Sequence, residues 1–461
     1  MFLKHLEISQ LCAIDHIEID FTRPQNIRTA TRAAAKAAGK TTVRQRTILL
    51  GENGCGKSAA LRAIALVLAG SDALTELLKE PARWVRSGKK EGHIRAVLIA
   101  QDGAEREISL TLRPEWNLRQ TLARNKASLA ALDDALCDSA GNYFTLGYGV
   151  NRRPAFGALA VSRPVGRGLA QPRASGLATL FSADATLIPF EQWIIDLNRR
   201  PGASWALVNE ALHTALKKLL PGVAFEGVDR KQREMRFKTR DGSILFRQLS
   251  DGYQNMANWL GDVLYRIIGA FDDRETLLET RGVLLIDELD LHLHPIWQRK
   301  LMDCISSALP NFQLIASSHS PMVAQQLREG ELYMVERLSP KSGASMRAVQ
   351  GDPSQLSLSQ LMSPLFGIHT GDSQRVAALR ARARSERGVL SERQLNELAD
   401  LSPVDTLPLA MQAQLQASAE LVDAIAQAGG KGAPPRLDRA RLRLKMGERI
   451  RSAALRVGGA S

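Results

Sequence analysis

Cysteine is scarce in this sequence, and its few copies lie far apart. The 461 residues include four cysteines, at positions 12, 55, 137 and 304, and no two of them form a C-x-x-C pair. A disulfide-stapled framework and a zinc knuckle both need closely spaced cysteines, so the sequence excludes these two classes. Unpaired cysteines suit a reducing compartment, and we expect a cytoplasmic protein.

Long apolar runs are also missing. No stretch of about 18 apolar residues occurs, which is the length that a membrane-spanning helix needs. The first 21 residues mix charged with apolar positions and contain no small-residue cleavage site. We therefore expect neither a transmembrane helix nor a signal peptide, and no membrane partner.

Acidic residues are outnumbered by basic ones. The chain has 61 Lys and Arg against 48 Asp and Glu, a formal net charge of +13. Segment 23–46 holds seven Lys or Arg and no acid, and segment 436–456 holds eight against two acids. Clustered cations bind polyanions by displacing counterions, so we expect DNA or another nucleic acid to contact these segments. An acidic protein partner for the tail, or solubility alone, remain the alternatives.

Patterns of apolar residues predict alternating strands and helices. Segments 2–9 and 16–21 read as an edge hairpin, and 93–112 reads as two strands around an Asp-Gly turn. Segment 150–185 is rich in Arg, Pro, Gly and Ala, and we expect a loop there. The remaining predicted elements are strands at 47–50, 223–228, 233–239, 243–247, 282–287 and 312–317, and helices at 57–69, 187–199, 203–219, 251–270, 296–308 and 321–328.

A glycine-rich octet, "GENGCGKS" at 51–58, fits the pattern G-x-x-x-x-G-K-[ST] between a predicted strand and a predicted helix. Its glycines allow backbone N–H groups to point at phosphate oxygens, and the helix that follows adds its positive N-terminal end. Lys57 supplies a charge for the β and γ phosphates, and the Ser58 hydroxyl is a ligand for Mg²⁺. The candidate phosphate-binding residues are Gly51, Glu52, Asn53, Gly54, Cys55, Gly56, Lys57, Ser58 and Ala59.

An acid pair follows the apolar strand in "VLLIDELD", at 283–290. Ligand chemistry in α/β sheets lies at the carboxyl ends of strands, which is where these two acids stand. We expect Asp287 to hold Mg²⁺ and Glu288 to polarise the attacking water, because phosphoryl transfer depends on positioning and charge neutralisation. Lys57, Glu288 and a histidine named below are the candidate catalytic residues.

The segment "RQLSDGYQNMANWL", at 247–260, decides the class. Its Leu-Ser-x-Gly opens a predicted helix, and the sequence here resembles the ABC-type ATPases of the SMC/RecF branch. In that family the signature helix of one subunit binds the γ-phosphate held by the other, so the resemblance assigns this contact to Ser250 and Gly252. Asp251 departs from the transporter signature LSGGQ, as do the residues at 253–254.

Two further positions follow from the same resemblance. "SSHSP" at 317–321 matches the switch histidine, so His319 would contact the γ-phosphate and position the water, and Asp290 matches the loop that crosses to the partner subunit. The resemblance implies an α/β fold, an ABC-type P-loop head with a mixed sheet, an antiparallel edge subdomain and a helical signature lobe. It also implies ATP and Mg²⁺ as cofactors and a site completed in a homodimer. The metal-contacting glutamine of the family is missing from 143–154, where Asn151 or a water could replace it.

The wording "DELDLHLHPIWQRKL", together with "FQLIASSHSP", "GYGVNRR" and "LFSADATLIPFEQWI", resembles a compact subgroup. Those are the bacterial anti-phage defence ATPases of Septu and retron systems, with PARIS-type and OLD ATPase heads as neighbours. The resemblance implies an ATPase that works with a nuclease, and the missing glutamine leaves open whether its turnover is slow. Residues after 330 lack the Glu-Gly and Asp-x-Asp of an OLD-type nuclease, so the nuclease would be a separate protein. A possible metal pair, His292 and His294, has no third ligand nearby and is better explained structurally.

We predict five parts and three ranked functions. The parts are an ATPase lobe at 1–150 that includes the basic insertion, an inserted helical and β lobe at 151–248, a second ATPase lobe at 249–350, a helical region at 351–428, and a linker with a basic helix at 429–461. The preferred function is a nucleotide-driven dimeric switch in defence. A RecF-like DNA-repair ATPase is the alternative, and a transporter subunit ranks last because of the basic charge and the altered signature.

Overall fold

A ten-stranded sheet organises the part of the chain that the computed structural model describes. The described residues are 2–22, 43–99, 103–137, 144–155, 170–199, 202–220, 222–229, 231–270, 280–291, 293–337 and 342–367. Most of the predicted region 351–428, all of the linker with its basic helix, and most of the insertion at 23–46 lie outside them.

The strands are β1 (Phe2–Leu11), β2 (Ile14–Asp20), β3 (Arg46–Leu50), β4 (Gly92–Ile99), β5 (Glu105–Leu112), β6 (Thr145–Tyr148), β7 (Ala224–Asp229), β8 (Glu234–Thr239), β9 (Gly242–Leu245), β10 (Gly282–Ile286), β11 (Phe312–Ser318), β12 (Leu332–Arg337) and β13 (Ala344–Ala348). The helices are α1 (Lys57–Leu68), α2 (Gly70–Leu78), α3 (Leu118–Cys137), α4 (Ala170–Phe181), α5 (Phe190–Arg199), α6 (Ala203–Leu219), α7 (Asp251–Ala270), α8 (Pro295–Gln298), α9 (Leu301–Ala308), α10 (Pro321–Ala324) and α11 (Leu358–Phe366).

The large sheet is mixed, in the order β5-β4-β1-β2-β13-β12-β3-β11-β10-β6. Strands β5, β4, β1 and β2 are antiparallel neighbours, whereas β12, β3, β11, β10 and β6 run parallel. The predicted β1–β2 hairpin is therefore present, but its expected position at a sheet edge is wrong. Strand β4 pairs with β1 and strand β13 pairs with β2, so both strands lie inside the sheet.

Two apolar cores lie on opposite faces of this sheet. Neighbouring residues of one strand point to opposite faces, and the central parallel strands β10 and β11 are buried at every position because both faces are covered. Ile48 and Leu284 join a core with α6 and α7, while Leu49 and Leu285 join a core with α1 and α2. Helix α1 is therefore held under the sheet directly after the glycine-rich octet.

The predicted loop at 150–185 is wrong in part, because α4 occupies 170–181. Proline in the first turn of a helix loses no hydrogen bond, so Pro172 does not prevent the helix. A Cβ atom at Gly176 would come within 3.1 Å of Leu146 Cδ2, so this glycine serves the close approach of α4 to β6. The short sheet β7-β8-β9 precedes α7 in the chain. The bounds of its three strands are close to those predicted from the sequence. No helix within the described residues is long and apolar enough to cross a membrane.

Candidate active site

Four neighbouring parallel strands bring the predicted motifs to one edge of the sheet. In sheet order these strands are β3, β11, β10 and β6. Leu50 lies beside Ser318, Ile286 beside Ala316, and Tyr148 beside Ile286. The glycine-rich octet, the histidine segment, the acid pair and the loop after β6 therefore leave the sheet side by side.

The octet forms the glycine-rich turn between β3 and the start of α1, where a phosphate-binding loop was predicted. Gly51 has a φ of 155°, and a Cβ atom there would lie 2.3 Å from the Val335 carbonyl oxygen, so a side chain cannot fit. Gly56 has a φ of 106° and precedes α1 without a side-chain cap, which leaves the first N–H groups of the helix for an anion. Lys57 is only 5 % exposed, and its Nζ donates to the carbonyl oxygens of Gly51 and Glu52 at 2.8 Å each.

The other residues of the loop divide by exposure. Glu52, Asn53 and Gly54 are exposed, whereas Cys55 is buried with its Sγ 3.8 Å from Lys57 Nζ. Ser58 and Ala59 are half-buried at the start of α1. The side chains at the tip of the loop point to solvent and the Lys57 ammonium group is buried. The concave side of the loop is therefore available for backbone N–H groups to bind a phosphate.

The acid pair is held by β11 as well as by its own strand. Asp287 is 3 % exposed and accepts a hydrogen bond of 2.5 Å from Ser317 Oγ, while its own N–H donates to the Tyr148 carbonyl. The same Ser317 Oγ accepts from the Glu288 N–H at 2.8 Å. Glu288 has a φ of 47°, in the left-handed region that non-glycine residues rarely adopt. The turn after β10 is therefore fixed by contacts between two strands.

Mg²⁺ fits the donor set at this edge. Within the described residues no three His, Cys, Asp or Glu side chains form a metal-binding cluster. Mg²⁺ does not need one, because it usually takes one or two protein oxygens together with substrate phosphates and waters. Asp287 keeps its Oδ2 free of the Ser317 contact, and the Ser58 hydroxyl stands in the first turn of α1. These two side chains would hold the ion, which would neutralise phosphate charge.

His319 lies among the charged residues of the other motifs. Burial lowers the pKa of His319, and the neighbouring ammonium of Lys57 lowers it further, while the carboxylates of Glu288, Asp290 and Asp287 act in the opposite direction. All four charges are thus close enough to influence the imidazole. The structure therefore brings Lys57, the acid pair, Asp290 and His319 together in one chain.

The signature segment forms the start of α7, where Ser250 and Asp251 are exposed and Gly252 is half-buried. Gln254 Nε2 donates to the carbonyl oxygens of Leu249 and Arg247, at 2.7 and 3.2 Å, and so shapes this turn. Tyr253 packs edge-on against Trp297 of α8, with ring centroids 4.4 Å apart. This contact joins the signature turn to the segment that follows Asp290.

Two tryptophans and one histidine near the site have structural roles. Trp193 and Trp259 are buried in the core. His294 Nδ1 accepts from the Ile296 N–H and caps α8, which explains this histidine without a metal. His292 lies outside the described residues.

Three residues of the site lie in quoted segments but had no role assigned to them. Arg152 Nη2 donates to the carbonyl oxygens of Asp287 and Glu288. Asn151, which together with a water was a candidate replacement for the missing glutamine, is exposed. Ser317 bridges the acid pair, and only its place before the histidine could have drawn attention to it. Tyr148 connects β6 to α7 through a hydrogen bond of 2.8 Å to Asp262.

Comparison with known proteins agrees with the predicted fold class. Residues 179–324 match the family model described as "AAA domain, putative AbiEii toxin, Type IV TA system", a range that contains Ser250, Asp287 and His319. The mixed sheet with helices on both faces and this match agree with the predicted α/β fold of a P-loop ATPase head. A solved SMC head bound to the C-winged helix domain of ScpA aligns with a TM-score of 0.43 and 13 % identity, over 76 % of this chain and 98 % of that one.

Curated relatives confirm the predicted resemblance to compact defence ATPases of the SMC/RecF-like branch. The chain is 26 % identical over 384 residues to the Septu protein PtuA of Bacillus mycoides (strain KBAB4), covering 80 % of this chain and 45 % of the relative. It is 26 % identical over 175 residues to the "Retron Ec83 probable ATPase" of Escherichia coli, covering 37 % and 31 %. The matched part therefore spans less than half the length of these relatives.

Proposed function

We propose that this chain binds and hydrolyses ATP and acts as a nucleotide-driven dimeric switch in bacterial anti-phage defence. The observation that carries the proposal is the row of four strand ends, which places the phosphate-binding loop, the acid pair and His319 at one edge of the sheet. This arrangement suits phosphoryl transfer, since that reaction depends mainly on positioning and electrostatic stabilisation.

Each residue has a distinct task in the proposed reaction. The N–H groups of the loop and of the start of α1 grip the β and γ phosphates, and Lys57 leaves its carbonyl partners to neutralise their charge. Glu288 polarises the attacking water. A neutral His319 imidazole, favoured by its lowered pKa, donates one hydrogen bond to the γ-phosphate and leaves its other nitrogen to orient the water.

The dimer is part of this proposal because the family resemblance assigns the γ-phosphate contact of the signature helix to a second subunit. Ser250 is exposed at the N-terminal end of α7, where its hydroxyl and the Gly252 N–H would meet the γ-phosphate bound by a second copy. Asp290 would contribute from the adjoining loop. We also propose the division of the head into parts at 1–150, 151–248 and 249–350, followed by helical regions at 351–428 and 429–461.

Replacing Glu288 by Gln tests the ATPase assignment. The variant should bind ATP as the wild type does, lose phosphate release, and accumulate a nucleotide-bound dimer that gel filtration detects. Lys57→Ala is the matched control and should lose nucleotide binding altogether. A Glu288→Gln protein that turns over at the wild-type rate would show that another group activates the water.

The defence role and the nuclease partner rest on the named relatives. We propose that the nucleotide state controls a separate nuclease, because the relatives belong to Septu and retron systems. A plaque assay on cells that carry the chain with its neighbouring genes tests this role. Protection should require Lys57 and Glu288, and protection that survives both substitutions would separate defence from ATP.

Direct DNA binding, as in a RecF-like ATPase, is a second candidate that the net charge of +13 favours. Segments 23–46 and 436–456 would contact the DNA. Of the first segment the structure describes 43–46, where Arg44 donates to the Asp20 carbonyl and Arg46 pairs with Glu331, so these two cations serve the fold. Binding of long duplex DNA that weakens steeply with salt would support this candidate.

A further inference from the structure

The loop after β6 carries a cation into the site. This loop begins beside the acid pair, because the Asp287 N–H donates to the carbonyl of Tyr148, the last residue of β6. Arg152 follows four residues later, and its Nη2 donates to the carbonyl oxygens of Asp287 and Glu288, at 3.1 and 2.5 Å. Hydrogen bonds from a charged donor are stronger than neutral ones, so this contact is a firm link between β6 and the acid pair.

Backbone hydrogen bonds hold the loop on both sides of this arginine. The Arg152 N–H donates to the Val150 carbonyl at 3.1 Å. Downstream, the Leu187 N–H donates to the Arg153 carbonyl at 2.9 Å, and the Ala155 N–H donates to the Leu187 carbonyl at 3.0 Å. The guanidinium is therefore presented from an anchored segment.

The peptide that receives this contact has an unfavourable conformation. A φ of 47° at Glu288 costs on the order of 1 kcal/mol for a residue with a Cβ atom, so contacts must maintain it. Ser317 Oγ accepts from the Glu288 N–H on one side, and Arg152 donates to the Glu288 carbonyl on the other. The direction in which the Glu288 carboxylate leaves the backbone is thus set by two neighbouring strands.

The positive charge of Arg152 acts on several acidic side chains of the site. Burial lowers the pKa of Arg152 to about 10, while Asp287, Asp290 and Glu288 oppose the shift, so the group stays protonated at neutral pH. Within the described residues the hydrogen bonds of Arg152 to the acid pair go to backbone carbonyl oxygens, and Asp290 Oδ1 is buried without a hydrogen-bond partner. The guanidinium therefore acts on the three acids through space and occupies none of their carboxylate oxygens.

We propose that Arg152 is a positioning residue for ATP hydrolysis, which fixes the Glu288 backbone so that its carboxylate faces the attacking water. This inference rests on the proposed ATPase function and adds to it a residue that the motifs do not assign. The loop after β6 contributes to the site through Arg152, the residue after Asn151, which contacts the backbone of the acid pair.

Arg152→Gln and Arg152→Lys test the proposal, with Arg153→Gln as the matched control at the exposed neighbouring arginine. Misplacing a reacting group by about 1 Å can lower a rate about 100-fold, so kcat should fall roughly 10- to 100-fold in Arg152→Gln. The dissociation constant of ATP, measured in EDTA to prevent turnover, should stay within about threefold of the wild-type value. This pattern is expected when the lost interaction acts only in the transition state. Arg152→Lys keeps the charge but not the planar fork, so it should recover part of the rate. Arg153→Gln should behave as wild type.

Hydrogen exchange gives a readout that does not depend on turnover. Arg152→Gln should speed exchange at the amides of 287–289 without nucleotide and leave the rest of the described sheet unchanged. Unchanged exchange there, or an unchanged kcat in an active wild type, would overturn the positioning role. A parallel loss of ATP affinity and melting temperature would overturn it too, since that pattern marks a general structural role. A wild type with no turnover would refute the proposed ATPase function, and the exchange result would still decide the role of Arg152.

Discussion

Replacing Tyr148 by Phe should show how much the hydrogen bond between strand β6, which lies beside the acid pair, and the signature helix α7 contributes to stability. Tyr148 lies on β6 and donates from its hydroxyl to Asp262 Oδ2 on α7, at 2.8 Å. Asp262 is 0 % exposed and also accepts from Arg266 Nε at 2.6 Å and from the Ile188 N–H at 3.0 Å. Burial raises the pKa of Tyr148 well above its ordinary value, and the charge of Asp262 raises it further, so the hydroxyl remains a donor at neutral pH.

The expected loss of stability follows from what each substitution leaves behind. A hydrogen bond to a charged group contributes about 1.5–3 kcal/mol. Tyr148→Phe leaves both oxygens of Asp262 with other donors, so we expect the low end, about 1.5 kcal/mol. Asp262→Asn removes the charge that Arg266 pairs with inside the protein, and breaking a buried pair costs about 3–5 kcal/mol. Asp262→Asn should therefore be the more damaging change.

Thermal unfolding of the two single variants and the double variant provides the test. At roughly 2–4 °C per kcal/mol for domains of 150–250 residues, Tyr148→Phe should lower the melting temperature by about 3 °C in this larger unit. The double-variant cycle should return a coupling of about 1 kcal/mol, because the two residues touch. A coupling near zero, or a larger loss from Tyr148→Phe than from Asp262→Asn, would refute the reasoning.

Three further predictions concern packing, the sheet edge and pH. Gly149→Ala should sharply reduce the yield of folded protein, because a Cβ atom would lie 1.9 Å from the Thr179 carbonyl oxygen; a wild-type melting temperature would contradict this. Asn125→Ala should lower the unfolding free energy by about 1–3 kcal/mol and speed exchange of the Thr111 amide, since Asn125 bonds the Thr111 N–H and carbonyl on edge strand β5. His319 should titrate below its ordinary pKa in an NMR experiment, because burial and a nearby ammonium disfavour its charged form, and His319→Gln should identify the signal. The pKa of His319 is lower in the folded than in the unfolded protein, where it is about 6.5. His319 therefore contributes to the free energy of unfolding above pH 6.5, and this contribution should be lost as the pH falls through the pKa of the folded protein.

The motifs predicted the strand ends of the site because each motif is local. The octet and the segment "VLLIDELD" each combine an apolar strand with the polar residues that directly follow it, so one stretch of sequence specifies both. The β1–β2 hairpin was predicted for the same reason. Its place inside the sheet depends on β4 and β13, which lie far along the chain, and so could not be predicted locally.

The residues that support the site were missed because their contacts join segments that lie far apart in the sequence. Tyr148 contacts Asp262 across 114 positions, and Arg152 reaches the Asp287 carbonyl across 135. Such contacts have no characteristic spacing, and Arg152 acts on backbone oxygens, which any residue type would present. Our attention to Asn151 followed residue type, whereas in the structure the neighbouring arginine reaches the acid pair.

These supporting contacts also bear on where a nucleotide-driven change can occur. Tyr148 joins the acid pair through its carbonyl and the signature helix through its hydroxyl. Arg62 of α1 donates to the Leu180 carbonyl of α4 at 2.6 Å, which links the helix after the phosphate loop to the helix that packs beside β6. Since phosphate loop, acid pair and signature helix are linked within one protomer, rotating one against another would break buried hydrogen bonds that each contribute about 1 kcal/mol or more. In the proposed dimer, we therefore expect ATP to alter the contact between the two protomers more readily than the interior of either.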